Sequence, residues 1–135
     1  MDANEVSRWL AGYVEVWRAG EHDAVARLFT PDAVYHPDPF SAPRRGHAEI
    51  AEYWRETGDE PDAFDAEYQP LVVIGDVAVT HGFSRYLSAD RSRVDKEYAN
   101  VFVLRFAADG RCAEYREWYM ARGGDGASDP DTAAH

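Results

Sequence analysis

The chain has 135 residues, 45% of them hydrophobic and 13% aromatic, enough for one domain with a substantial core. A net charge of −11 argues against nucleic acid and anionic membranes as partners, because phosphate binding needs a basic surface. Cys112 is the single cysteine, which excludes an intrachain disulfide framework and points to a reducing compartment.

The N-terminus "MDANEVSRWL" is acidic and amphipathic, without the basic start and apolar run of a signal peptide. No apolar run is long enough to cross a bilayer, so the expectation is a soluble, cytoplasmic protein. Val6, Trp9, Leu10, Tyr13, Val14 and Trp17 form one stripe at helical spacing, with Gly20 as the stop. A short second helix buries Val25, Leu28 and Phe29 and ends at Thr30-Pro31. "AVYH" (33–36) is β-prone, and "PDPFSAPRRG" reads as an ordered loop. A third helix starts near Gly46-His47, buries Ile50, Tyr53 and Trp54, and is closed by "TGDEPD". The second half reads as strands. "FDAEYQPLVVIG" turns through Gly75-Asp76 into "DVAVTHGFSRYLS", and Pro70 marks an edge or a bulge. "ADRSR" is a turn, "VDKEYANVFVLRF" a long strand, and Asp109-Gly110 leads into the last strand. Hairpin connections without intervening helices predict an antiparallel sheet. The expected fold is α+β: a cone-shaped, curved antiparallel sheet with three N-terminal helices enclosing a cavity. The domain is expected over 1–122, followed by a flexible polar tail over 123–135.

The segments "YVEVWRAGEHDAVARLFTPDAVYHPDPF", "RRGHAEIAEYW" and "VFVLRFAADGRCAEYREWY" resemble the superfamily of nuclear transport factor 2, ketosteroid isomerase and the SnoaL-like polyketide cyclases, in particular a bacterial SnoaL-like branch. The resemblance spans roughly residues 5 to 121. It implies a pocket protein acting without a redox cofactor. In the isomerases, a first-helix tyrosine donates to the oxyanion, and Tyr13 stands in that place. The place of their general-base aspartate falls at Pro37, with Asp38 one residue late, and that of their protonated aspartic acid falls at Phe102. Two of three parts are missing, which sets steroid-type isomerisation aside. "YREWY" resembles the R-D-Y segment of limonene epoxide hydrolase-like enzymes and places Glu117 at an acid. Their Arg-x-Asp pair is lacking, since the comparable strand reads His81, Phe83, Arg85.

Period-two alternation puts Ala113, Tyr115, Glu117 and Tyr119 on one face of the last strand, and Cys112, Glu114, Arg116 and Trp118 on the other. Tyr98, Asn100, Phe102, Leu104 and Phe106 share a face, as do Val77, Val79, His81, Phe83, Arg85 and Leu87. The polar interruptions His81, Arg85, Asn100 and Glu117 are expected to converge. Glu117 is then the acid/base, His81 its partner, Arg85 a tuner or anion anchor, and Tyr13 and Asn100 the oxygen-holding donors. Trp54, Tyr35, Phe102, Phe83, Tyr98, Tyr115 and Tyr119 are the expected ligand-binding wall. A structural Glu117–Arg85 ion pair weighs equally with catalysis. His36, Asp38 and His47 match no zinc spacing, so no metal and no cofactor are expected. Arg44-Arg45 reads as a solvated pair. The outer set Ala99, Val101, Val103 and Trp118 suits a homodimer face.

The function expected is cofactor-independent cyclisation, isomerisation or dehydration of a small apolar, carbonyl-bearing metabolite. Two alternatives stay open: a non-catalytic binding module, and an assembly domain of the same fold.

Overall fold

The computed structural model describes residues 1–57 and 63–122. The expected tail at 123–135 and most of the turn closing the third helix (58–62) lie outside the described residues. Helix α1 (Ala3–Ala19) starts with a capping box. The Asp2 carboxylate accepts from the Glu5 amide at 2.8 Å, and the Glu5 carboxylate from the Asp2 amide at 3.1 Å. It ends at Gly20, whose φ of 71° is the left-handed conformation that glycine adopts without strain. The expected stripe is the buried stripe, with Trp17 partly buried at its end and Val16 added. A single 3₁₀ turn (His22–Ala24) runs into the short α2 (Val25–Leu28). Strand β1 (Phe29–His36) follows directly, so Phe29 and Thr30-Pro31 open a strand rather than close a helix.

Two features depart from the sequence reading here. The loop after β1 contains a two-residue strand, β2 (Arg44–Arg45), antiparallel to β1. Arg44 is also not simply solvated: its guanidinium lies 4.9 Å over the Tyr53 ring. Helix α3 (Gly46–Thr57) then buries Ile50, Ala51 and Trp54.

Strands β3 (Phe64–Ile74), β4 (Val77–Leu87), β5 (Val94–Phe106) and β6 (Cys112–Ala121) form the expected antiparallel meander. The complete sheet has the order β2-β1-β6-β5-β4-β3. Strand β1 runs parallel to β6, so the sheet is mixed rather than wholly antiparallel. Hairpins fix the direction of β3 to β6. No hairpin joins β1 to β6, and the long intervening chain lets them run the same way. Pro70 lies on the edge strand β3 beside a bulge: it pairs with Thr80, and Val72 with Val79, leaving Leu71 as the extra residue.

The register between β4 and β5 decides which side chains enter the concave face. Ser84 lies opposite Tyr98, Thr80 opposite Phe102 and Ala78 opposite Leu104. Directly opposed residues share a face. The inner face of β4 is therefore Ala78, Thr80, Gly82, Ser84 and Tyr86. The expected inner set Val77, Val79, His81, Phe83, Arg85 and Leu87 faces outward, and Phe83 is 44% exposed. Gly82 is required by close packing. A β-carbon there would lie 1.9 Å from the Glu67 carbonyl oxygen and 2.7 Å from Cδ1 of Tyr68, its cross-strand neighbour. On β6 a second bulge makes Ala113 the extra residue, since Phe106 pairs with Cys112 and Arg105 with Glu114. The bulge turns Cys112 into the core, not onto the outer face. Burial lifts its thiol pKa to about 12.

Aromatic rings from α1, α3 and the sheet meet in one core. Trp54, wholly buried, contacts Tyr13, Trp17, Phe29 and Tyr35. Each such ring contributes roughly 1.5–3 kcal/mol through burial.

Candidate functional site

The concave face holds a cavity of about 270 Å³. Helix α1 contributes Tyr13 and Trp17, β1 Tyr35, the loop after it Pro37, and α3 Tyr53 and Thr57. The sheet contributes Phe64, Tyr68, Ser84, Tyr86, Lys96, Tyr98, Asn100, Glu117 and Tyr119. Of the eight tyrosines in the chain, seven line it. The eighth, Tyr115, is buried in the wall and stacks on Tyr35 with ring centroids 4.3 Å apart.

Glu117 is placed by the β5–β6 register, opposite Phe102. Its Oε1 accepts from the Tyr115 hydroxyl at 2.6 Å and its Oε2 from Asn100 Nδ2 at 2.8 Å. Ser84 Oγ donates to Asn100 Oδ1 at 2.9 Å, which fixes the amide with its nitrogen toward Glu117. The hydroxyls of Tyr13 and Tyr115 are 3.1 Å apart. Tyr115 gives its proton to the carboxylate, so it accepts from Tyr13. The chain Tyr13–Tyr115–Glu117–Asn100–Ser84 thus spans α1, β6, β5 and β4, and every donor on the carboxylate is neutral.

Electrostatics follow from that. Burial is the main force on Glu117, and the nearby Asp38 charge adds to it. The two hydrogen bonds oppose both, and the carboxyl settles at about 7, against an ordinary 4.5. Burial first, then mostly the Glu117 charge, raises the tyrosine hydroxyls around it, with Tyr53 pushed up to about 12. They are neutral donors at physiological pH. Trp17 Nε1 is a further buried donor with no partner among the described residues.

The expected site is thus brought together in part. Tyr13, Asn100, Tyr115 and Glu117 form one network, and Tyr35, Tyr98 and Tyr119 line the cavity beside it. His81 and Arg85 do not join them, because the β4 register points both outward. His81 Nε2 lies 3.1 Å from Gln69 Nε2. Arg85 bonds Glu97 at 2.9 Å and Glu67 at 3.1 Å on the convex face. That removes both the His81 partnership and the alternative Glu117–Arg85 ion pair. Phe83 is on the outer surface, and Trp54 and Phe102 are packed behind the lining rather than in it. Asp38 caps its own loop, accepting from the Phe40 and Ser41 amides at 2.8 Å each. His36 meets Glu114 at 3.7 Å and His47 the Phe29 carbonyl at 2.8 Å, so the three do not converge. Among the described residues, no group of three or more His, Cys, Asp or Glu is placed to hold a metal ion.

Tyr53, Tyr68, Ser84, Tyr86, Trp17 and Lys96 were not assigned to the cavity from sequence. The charges outside β4 carried a usable signal. Glu67, Arg85 and Glu97 complement one another across three strands only if Arg85 faces out, which turns Ser84 and Tyr86 in.

The family model described as SnoaL-like domain matches residues 10–115 of this chain. No curated protein sequence matches it.

Proposed function

The chain belongs to the SnoaL-like domain family, within the nuclear transport factor 2-like superfamily, and from that premise we propose that its cavity performs cofactor-independent acid/base chemistry on an apolar, carbonyl-bearing metabolite. One observation carries the reading. Glu117 ends an aromatic cavity, held by the neutral donors Tyr115 and Asn100, with its pKa raised to about 7. Both protonation states are then populated near neutrality, the condition under which one group both takes and returns a proton. The ionised carboxylate removes a proton from the carbon next to the substrate carbonyl. The electron pair moves onto the carbonyl oxygen, and the second N–H of Asn100 and the cavity hydroxyls receive it. Protonated Glu117 then delivers its proton to carbon or to a leaving oxygen, which gives isomerisation, ring closure or dehydration according to the substrate. Tyr13 acts through Tyr115, not on the substrate oxygen directly.

The test is a thermal-shift panel of aryl ketones, lactones and polyketide-like aromatics against wild type and Glu117→Gln, followed by turnover of the stabilising class. The expected variant still binds and loses turnover by about 100-fold or more. Unchanged turnover in Glu117→Gln sinks the catalytic reading, and tight binding without product leaves a binding module.

A second reading concerns assembly. On the convex face, Phe83, Val101 and Trp118 are 44%, 39% and 43% exposed and Val101 lies opposite Trp118. We propose that this face joins two copies of the chain, since exposed apolar sheet surface gains by burial. Sedimentation equilibrium is expected to give a dimer for wild type and a monomer for Trp118→Glu. A monomeric wild type excludes it.

A further inference from the structure

One of the residues lining the cavity is basic, and its place in the sequence is unusual. Lys96 is the chain's single lysine among 14 basic residues. It sits on the inner face of β5, two residues before Tyr98 and four before Asn100, and it lines the cavity. Its acidic neighbours in sequence are engaged elsewhere: Asp95 binds Arg93 at 3.2 Å, and Glu97 binds Arg85 and Arg122. Lys96 is exposed and lies opposite Tyr86, further along β5 from Asn100. Lys96 and Asn100 are four positions apart on the strand, a span of about 13 Å.

This gives the cavity a polarity. One end carries Glu117, with Asp38 close enough to disfavour further negative charge. The other end carries a cation. Between them lie tyrosine rings that offer apolar faces. An uncharged molecule draws on the rings but not on the Lys96 charge, and an anion is repelled from the Glu117 end. We propose that the ligand is an amphipathic carboxylic acid, with its carboxylate on Lys96 at the mouth and its uncharged carbonyl end against Glu117. The proposal rests on the reading of Glu117 as the working group and names the substrate class it serves. A lysine suits a wet mouth better than an arginine, because its ammonium is a mobile, strongly hydrated point charge. The attraction sets orientation more than affinity, since water screens it.

The test compares 5-benzoylpentanoate with its methyl ester by calorimetry, on wild type, Lys96→Met and Lys96→Arg. At 50 mM salt the acid is expected to bind wild type about fivefold more tightly than the ester. That preference is expected to vanish in Lys96→Met with the ester's Kd unchanged, to persist in Lys96→Arg, and to shrink at 500 mM salt. Equal affinity of acid and ester for wild type overturns the proposal, as does a preference that survives Lys96→Met. In either case ester binding that is lost in Tyr68→Ala leaves the cavity reading standing. If neither probe binds wild type at millimolar concentration, the cavity reading and the Lys96 anchor fall together.

Discussion

Two glutamates on adjacent strands, Glu97 and Glu117, show what the two faces of one sheet do with a carboxylate. Glu97 points outward, where Arg85 and Arg122 engage it and hydrogen bonds and charge pull its pKa down. Glu117 points inward, where Tyr115 and Asn100 offer protons but no positive charge, and burial pushes it up to about 7. In both, each carboxylate oxygen accepts a hydrogen bond. The difference is charge compensation: the outer carboxylate is locked ionised, and the inner one stays able to change state. A carboxylate kept without a cation costs the fold something, as the working role proposed for Glu117 requires.

The comparison can be broken first through stability against pH. Glu117 has a folded pKa raised from an ordinary 4.5 to about 7. Its neutral form is the one the fold tolerates, so the favourable condition holds below 4.5 and is lost as pH rises through 7. The loss is on the order of 3 kcal/mol. Urea denaturation of wild type should show this decline between pH 4.5 and 7. Glu117→Gln should flatten it and equal or exceed wild type above pH 7. A variant much weaker than wild type at pH 8 would mean that the carboxylate braces the fold.

The strand on the other side of β5, β4, offers the next effect. Gly82→Ala forces a β-carbon into the Glu67 carbonyl and the Tyr68 ring, and overpacking of this kind costs about 1–3 kcal/mol. The melting point should fall and Tyr68 should leave its position in the cavity wall. A melting point within error of wild type would mean that β3 stands off further than described. A smaller change sharpens the inner site. Tyr115→Phe removes the 2.6 Å donor and should raise the Glu117 midpoint by about one pH unit, read from carboxyl NMR shifts. The smallest change belongs to the outer face. Arg85→Met should cost about 1 kcal/mol or less, more at low salt, and leave the Glu117 titration unmoved. A moved midpoint would show that the two faces are coupled.

The sequence is legible where side-chain size and polarity agree with burial. On β5 the larger side chains Tyr98, Phe102, Leu104 and Phe106, and on β6 Tyr115 and Tyr119, mark one face, and that face is the inner one containing Asn100 and Glu117. On β4 the rule inverts. Beside a cavity and beneath a closely packed β3, the inner positions are small or hydroxylated (Ala78, Thr80, Gly82, Ser84), while the solvent side carries Val77 and Phe83. A hydrophobic count then selects the wrong face, and His81 and Arg85 followed it. Trp54 sits on a helical stripe whose ordinary meaning, core packing, was the correct one. The two-residue β2 has no periodicity to read. The Cys112 side depended on a bulge that alternation does not reveal.

The parallel pairing of β1 with β6 has a consequence for how the molecule is made. Phe29 finds its partner Cys112 on the order of 80 residues further along the chain. While the ribosome is still producing the meander, β1 can pair only with the two-residue β2, and the sheet that the aromatic stripe of α1 covers is incomplete. The cavity and the core are therefore completed together, late, by the strand that carries Glu117, and until then the nascent chain leaves aromatic side chains of α1 and β1 without their final cover.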